Sequence, residues 1–170
     1  MELKLQERSL IRSVTAADAT AIAGIYNHYI RDSIITFEEL PIDAGEMAAR
    51  IAEITAAKLP WLVAERDGAV IGYAYATKWK TRSAYRFAVE TTIYMAPQCT
   101  GSGFGTQLYR ALVDRLQAGG IHVAIGGVAL PNAASVALHE KLGFRKVAQF
   151  DQVGFKFGQW IDVGYWELLL

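Results

Sequence analysis

The residues that most constrain this chain run from Glu90 to Thr106 and read Glu-Thr-Thr-Ile-Tyr-Met-Ala-Pro-Gln-Cys-Thr-Gly-Ser-Gly-Phe-Gly-Thr. An apolar, β-branched stretch with one carboxylate passes into a loop with glycines at 101, 103 and 105. The pattern then turns helical, with Phe104, Leu108, Leu112 and Leu116 recurring at spacing four. Strand, glycine loop and helix in that order commit the chain to a layered α/β architecture. They also build an anion site. A loop without side-chain bulk offers several N–H donors, and the helix N-terminus adds the positive end of its dipole. A pyrophosphate-bearing ligand suits such a site, and Glu90 stands where the other, reactive end of that ligand would come.

The rest of the chain supplies a sheet to carry this unit. Residues 9–14 read as a first strand. A cap signal at residues 15–18 precedes the helical recurrence of Ile22, Ile25, Tyr26 and Tyr29. Pro41 and Asp43 open a second helix through Met47, Ile51 and Ile54. Residues 61–65 and 70–79 form a hairpin about Asp67-Gly68, and 85–95 a long strand. Gly119-Gly120 stops the glycine-loop helix. A buried strand follows at 121–128, then a helix opened by Pro131-Asn132, with Val136 and Leu138 on its apolar side and Gly143 as its stop. A strand at 144–150, a turn-rich connection at 154–158 and a closing strand at 161–169 complete the order β-α-α-β-β-β-α-β-α-β-β on a mixed sheet.

Bulk numbers narrow the function. At 170 residues and 52% hydrophobic content the chain suits one domain with a sizeable core, spanning 1–170. Seventeen basic and 17 acidic side chains balance, and no basic stripe argues for nucleic acid. One cysteine excludes an intrachain disulfide framework. Residues 1–8 are charged and lack a signal-type apolar run, and no run is long enough to span a bilayer. A cytoplasmic protein is the expectation.

Particular residues decide between competing chemistries. A dinucleotide fingerprint needs an acid at the end of the strand after the glycine-loop helix, but Val123, Ala124, Ile125 and Gly126 supply none. His139-Glu140 begins like a zincin motif, yet Gly143 stands where a second histidine would be, and His28, His122 and His139 are scattered, so no metal is expected. Cys99 has no histidine near it in sequence and reads as a simple small residue rather than a nucleophile. Glu90 reads either as a carboxylate on a strand's polar edge or as a base that takes a proton from an ammonium, through one water, with its pKa raised by burial. Asn132 reads as a helix cap or a ligand contact.

Glycine loop, asparagine-led helix and the Leu142-Gly143-Phe144 run stand together in an order that resembles the GNAT acetyltransferases, over nearly the whole chain. The stretch Tyr85 to Tyr94, Leu138-His139-Glu140 and above all Lys156-Phe-Gly-Gln-Trp-Ile-Asp162 resemble the branch that acetylates phosphinothricin and methionine sulfoximine or sulfone. That resemblance implies a mixed, mostly antiparallel sheet flanked by helices and splayed between its fourth and fifth strands. It implies acetyl-CoA as co-substrate, a small amino-acid substrate acetylated on its α-amino group, and a homodimer.

Carried over residue by residue, it implies that Ile93, Tyr94 and Met95 pair their backbone with the pantetheine arm. Gly101, Ser102, Gly103, Phe104, Gly105 and Thr106 would hold the pyrophosphate, and Asn132 would contact the cofactor. Glu90 would be the general base, and His139 acid, second base or structural residue. Phe37, Trp79, Arg82, Ser83, Ala84, Tyr85 and Arg86 would shape the substrate site, with Arg82 or Arg86 pairing with a carboxylate. Thr100 falls where the family usually has Gln or Arg, which weakens one cofactor contact but leaves the backbone donors. A broader amine acetyltransferase and a non-catalytic acetyl-CoA sensor are the alternatives.

Overall fold

The computed structural model describes residues 9–170, so the segment 1–8, read above as lacking a signal-type run, lies outside the described residues. In chain order the elements are β1 (Ser9–Ser13), α1 (Ala19–Asp32), α2 (Ala44–Ala56), β2 (Trp61–Arg66), β3 (Ala69–Lys78), β4 (Ala88–Met95), α3 (Phe104–Ala118), β5 (Val123–Leu130), α4 (Ala133–Lys141), β6 (Arg145–Lys156) and β7 (Gln159–Leu169). Short 3₁₀ turns lie at Ala16–Asp18, Ser83–Tyr85 and Pro97–Cys99. The described strands form one sheet in the order β1-β2-β3-β4-β5-β7-β6, antiparallel except for the parallel pair β4–β5. Among the described residues no helix is long and apolar enough to cross a membrane.

Local chemistry explains why these segments start and stop where they do. Asp18 is buried ahead of α1, where it accepts from the Thr15 N–H and hydroxyl and from two Arg12 nitrogens, each at 2.8 Å. Those Arg12 bonds, offset in part by burial, lower its pKa to about 2. Asp43 caps α2 by accepting from the Glu46 N–H. Asp67 and Gly68 both have positive φ, as a two-residue hairpin turn between right-twisted strands requires. Inside, Tyr26 and Tyr29 of α1 pack their rings on Tyr94 of β4, which meets Tyr73 of β3, while α3 buries Leu108, Tyr109, Leu112 and Leu116.

Three segments and one core position depart most from the sequence reading. The strand expected at 85–95 begins at Ala88, because Ser83–Tyr85 closes a 3₁₀ turn that leaves Tyr85 and Phe87 exposed. The strand expected at 121–128 runs from Val123 to Leu130. The Ile121 N–H turns back to the Leu116 carbonyl in the helix stop, while pairing with β7 continues as far as Leu130 opposite Asp162. The connection expected at 154–158 is mostly strand. β6 breaks register between Phe150 and Gly154, pairs again as far as Lys156, and turns on Phe157-Gly158, both with positive φ. On α3, Phe104 is only half-buried, under the Arg66 guanidinium, and Tyr109 takes its place in the core.

The feature that positions the site is the parting of β4 from β5. Their ladder covers only Ala88–Glu90 against Val123–Ile125. Beyond it β4 continues on β3 to Met95, and β5 continues on β7 to Leu130. The first residue past the ladder, Thr91, reaches the Ile125 carbonyl with its side chain, at 3.2 Å.

Candidate active site

Two cavities open along the gap and share a wall. One, of about 520 Å³, is lined by Thr36, Phe37, Tyr75, Glu90, His139 and Tyr165 among others. The second, of about 560 Å³, is lined by Met95, Thr100, Gly101, Gly103, Gly105 and Thr106 and by the α4 residues Leu138 and Lys141. Ile35, Ile93, Tyr94, Asn132 and Ser135 border both. A ligand in the glycine-lined groove therefore borders the chamber that Glu90 lines.

The groove is built from backbone. Gly101 and Gly103 have φ of +74° and +86°, and a Cβ on either would meet nothing within 4 Å. Glycine is required there by conformation and by the open space a ligand can enter, not by crowding. Gly103 directly precedes α3, whose first N–H groups face outward without capping side chains. Thr100 turns its hydroxyl to the Pro97 carbonyl, and Lys141 supplies the cation along this groove. Ser102 donates to the Cys99 carbonyl, and Ser102 and Phe104 do not line the groove. Cys99 itself is buried, with Arg66 donating to its sulfur at 3.6 Å. Asn132 caps α4, accepting from the Ser135 N–H at 3.1 Å, and borders the two cavities, so the cap does not take it away from the shared wall.

The other chamber is built from side chains. Glu90 is half-buried, and burial raises its pKa while the charge of Lys80 pulls it back. His139 is 3% exposed. Its Nδ1 lies 2.7 Å from the Ser135 carbonyl, an acceptor only, so the proton sits on Nδ1. Burial lowers the pKa of this imidazole, with the Ser135 carbonyl opposing. Its Nε2 then accepts from the Tyr109 hydroxyl at 3.0 Å, and Tyr109 meets Thr91 at 2.6 Å. With the Tyr109 proton turned to His139, the Thr91 proton turns to Tyr109, and the Ile125 carbonyl lies 3.2 Å from the Thr91 hydroxyl across the mouth of the gap. Both nitrogens of His139 thus have protein partners.

Two glycines of β5 make room for both candidates. A Cβ at Gly126 would come within 2.2 Å of His139 Nε2, and one at Gly127 within 3.3 Å of a Glu90 oxygen. Consecutive strand residues face opposite sides of a sheet, so Glu90 and His139 address the gap from opposite faces. The Ile125-Gly-Gly-Val128 run carried this signal: paired glycines inside a strand mark close approach by something else. Tyr109 and Thr91 gave no such sign, since each fits an ordinary core or strand pattern.

Of the residues expected to shape the substrate side, Phe37 lines the chamber. Trp79 stands behind it, edge-on to Tyr165 with ring centroids 5.8 Å apart. Arg82, Ser83, Ala84, Tyr85 and Arg86 form an exposed turn and line neither cavity, and Arg86 covers the Phe87 ring and donates to the Ser83 carbonyl. Among the described residues no group of three or more His, Cys, Asp or Glu is placed to hold a metal ion.

The chain matches the model of the acetyltransferase (GNAT) domain over residues 11–164. It is similar to the phosphinothricin N-acetyltransferase of Alcaligenes faecalis, 46% identical over 153 residues that cover 89% of this chain and 78% of that one. It is 36% identical over 160 residues to the L-methionine sulfoximine/L-methionine sulfone acetyltransferase of Salmonella typhimurium, covering 94% of each. The crystal structure of a phosphinothricin acetyltransferase from Sinorhizobium meliloti in complex with acetyl-CoA superposes with a TM-score of 0.92 at 39% identity, covering 95% of this chain and 88% of that one.

Proposed function

The chain belongs to the GNAT acetyltransferase family, and from that premise we propose that it transfers acetyl from acetyl-CoA to the α-amino group of small amino-acid analogues of the phosphinothricin, methionine sulfoximine and methionine sulfone type. The observation that carries this reading is a half-buried carboxylate, Glu90, at the point where two parallel strands part, between a glycine-lined groove and a chamber of hydroxyl and aromatic side chains. The groove fits the co-substrate. Past Glu90 the β5-facing edge of β4 has no strand partner, so the backbone groups of Ile93 and the Met95 N–H are open to an added extended arm, while Tyr94 faces β3 and the Met95 carbonyl accepts from the Tyr29 hydroxyl. Gly101 to Thr106, the start of α3 and Lys141 suit a pyrophosphate. When bound, acetyl-CoA supplies the thioester that a free amine attacks, and as the C–N bond forms the C–S bond breaks and CoA leaves as a thiolate that takes up a proton from solvent.

The residues of the chain do the rest. Glu90, its pKa raised, takes the proton of the acceptor's ammonium, directly or through one water. Tyr75, Tyr94 and Tyr165 border the chamber, and burial raises the pKa of each phenol. They stay neutral donors at any working pH and suit the oxygens of a tetrahedral sulfur or phosphorus centre. His139 stays neutral and orients the relay. Should it take a proton on Nε2, the relay turns over: Nε2–H donates to Tyr109, Tyr109 to Thr91, and Thr91 to the Ile125 carbonyl. That accommodates the charge without moving a heavy atom. Phe150, Val153, Phe155, Phe157 and Trp160 are exposed together on the β6–β7 hairpin, and this apolar area suits a second copy of the chain.

Release of free CoA thiol, with methionine sulfone, methionine sulfoximine and phosphinothricin supplied in parallel at about pH 8, tests the assignment. Turnover with any of the three supports it and ranks the acceptors. Acetyl-CoA binding without thiol release from all three overturns the substrate class and favours another amine or a sensor.

A further inference from the structure

The Lys156 side chain is 1% exposed, and none of its hydrogen bonds goes to a carboxylate. Its Nζ donates to two carbonyls, those of Ser33 and Thr36, each at 2.8 Å, and lies 4.9 Å from the centroid of the Phe157 ring. Two charge-assisted bonds and an aromatic face thus stand in for water. Taking an ammonium out of water costs several kcal/mol unless it is fully partnered, so what this one holds matters.

It holds the segment that leaves α1. Residues 33–40 form no helix or strand, so side-chain contacts decide their path. Ser33 donates to the Tyr29 carbonyl, Thr36 shares a hydrogen bond with the Tyr26 hydroxyl, and Lys156 ties the Ser33 and Thr36 carbonyls to the end of β6. Two residues back on the same face of β6, Gly154 meets the Phe37 ring: a Cβ there would come within 2.3 Å of Phe37 Cζ. The segment so held puts Ile35, Thr36 and Phe37 on the chamber wall beside Glu90. None of these contacts touches the glycine loop.

We infer that Lys156, with Gly154, is a positioning residue for acceptor selection: its buried ammonium fixes the Ser33–Thr36 bend and thereby the Phe37 wall of the amino-acid chamber. This rests on the proposed acetyl transfer for its kinetic readout but not for its structural one. Loosening the wall enlarges the chamber through Thr36 and Phe37 and reaches the acetyl-CoA groove only through Ile35, which borders both. The selectivity among the three tetrahedral-centred acceptors then falls, while the glycine loop and α4, the main walls of the acetyl-CoA groove, keep their places.

The test uses Lys156→Met, which keeps the length of the side chain and removes the charge, alongside Lys156→Arg and Gly154→Ala in the full chain. Lys156→Met is expected to raise KM for the preferred acceptor at least ~10-fold and flatten the ranking of the three, with KM for acetyl-CoA within ~2-fold of the parent. Lys156→Arg, which can still donate to both carbonyls, should restore much of the ranking. Gly154→Ala should reproduce the change through Phe37 with the ammonium in place, and it decides the matter if Lys156→Met does not fold. Equal loss toward acetyl-CoA and acceptor, or unchanged acceptor KM, overturns the inference. Amide hydrogen exchange separates it from the catalytic reading. If the parent transfers acetyl to none of the three, loss of protection confined to residues 33–40 in the variant still supports the clamp, and unchanged protection overturns it.

Discussion

The glycine-lined groove and the side-chain chamber share a wall, yet they are made in different ways. The groove comes mainly from one continuous stretch, 93–106, plus α4 and its cap, with Tyr29 and Ile35 at its edge; its donors are main-chain groups, and two glycines with positive φ shape its loop. The chamber draws on α1, the segment after it, β3, β4, β5, α4, β6 and β7, and its key groups are held by contacts far apart in sequence. A backbone-built site binds what any member of a family binds. A side-chain site assembled from many elements is free to vary, and there a chain of this kind chooses its acceptor.

The largest effect that divides the two belongs to Glu90. Glu90→Gln should lower kcat by ~10²-fold or more and leave acetyl-CoA affinity unchanged. Its stability should move the other way. Burial raises the folded-state pKa of this carboxyl, so ionised Glu90 costs stability above that pKa, and the cost vanishes below the unfolded value. The neutral variant should therefore melt higher than the parent near pH 8, with the gap closing in acid. Unchanged turnover would remove Glu90 as base, and a lower melting temperature at pH 8 would show that its carboxylate is favourably partnered.

The same division explains what could be read before the structure. Glu90, the glycine loop and the Asn132 cap lie on patterns of local period, and the strand–loop–helix order alone places them. The relay could not be read. Tyr109 follows Leu108 on α3 and looks like core, and only packing α4 against β5 brings His139 to it. Phe37 was found through the family resemblance, but Lys156, 119 positions on by subtraction of those two residue numbers, is joined to its segment only by the fold. The strand errors have one cause. β-branched and aromatic composition marks where a strand is possible, whereas its ends are set by partners, such as the Leu116 carbonyl that takes the Ile121 N–H.

Gly126 and Gly127 sharpen the comparison from within the chamber. Gly126→Ala would drive a methyl into the His139 ring, and since the ring is held on both nitrogens the relay must break. A loss of about 1–3 kcal/mol in stability is expected, with kcat down ~10-fold and KM for acetyl-CoA little changed. Gly127→Ala asks the Glu90 carboxylate and the Tyr165 ring each to give only a few tenths of an ångström, so its cost should be smaller and fall on kcat and on acceptor KM. Thermal melts beside initial rates read both, and equal effects would mean that the two glycines serve the strand rather than the two side chains.

Gly103→Ala is the matching probe of the groove. No atom crowds the new methyl, and the cost is that of a left-handed backbone, about 1–2 kcal/mol. If the loop shifts to relieve it, KM for acetyl-CoA should rise roughly 5-fold or more with acceptor KM unaltered. A rise in acceptor KM instead would mean that the two chambers are not independently built.

The smallest effect tests electrostatics across the chamber's rim. Lys80 lowers the pKa that burial raises on Glu90, and burial is the larger of the two. Lys80→Met removes the opposing charge, so the pKa must climb further. Because Glu90 works as a base only when ionised, the acid limb of kcat/KM should move to higher pH. Rates well above the limb should be unchanged. The interaction passes near solvent, so the displacement should shrink as ionic strength is raised toward 1 M, where the screening length falls to about 3 Å. Glu90→Gln supplies the control: with no carboxyl to titrate, the acid limb itself should disappear, and Lys80→Met should then move nothing. A limb that persists in that variant would assign the titration to another group.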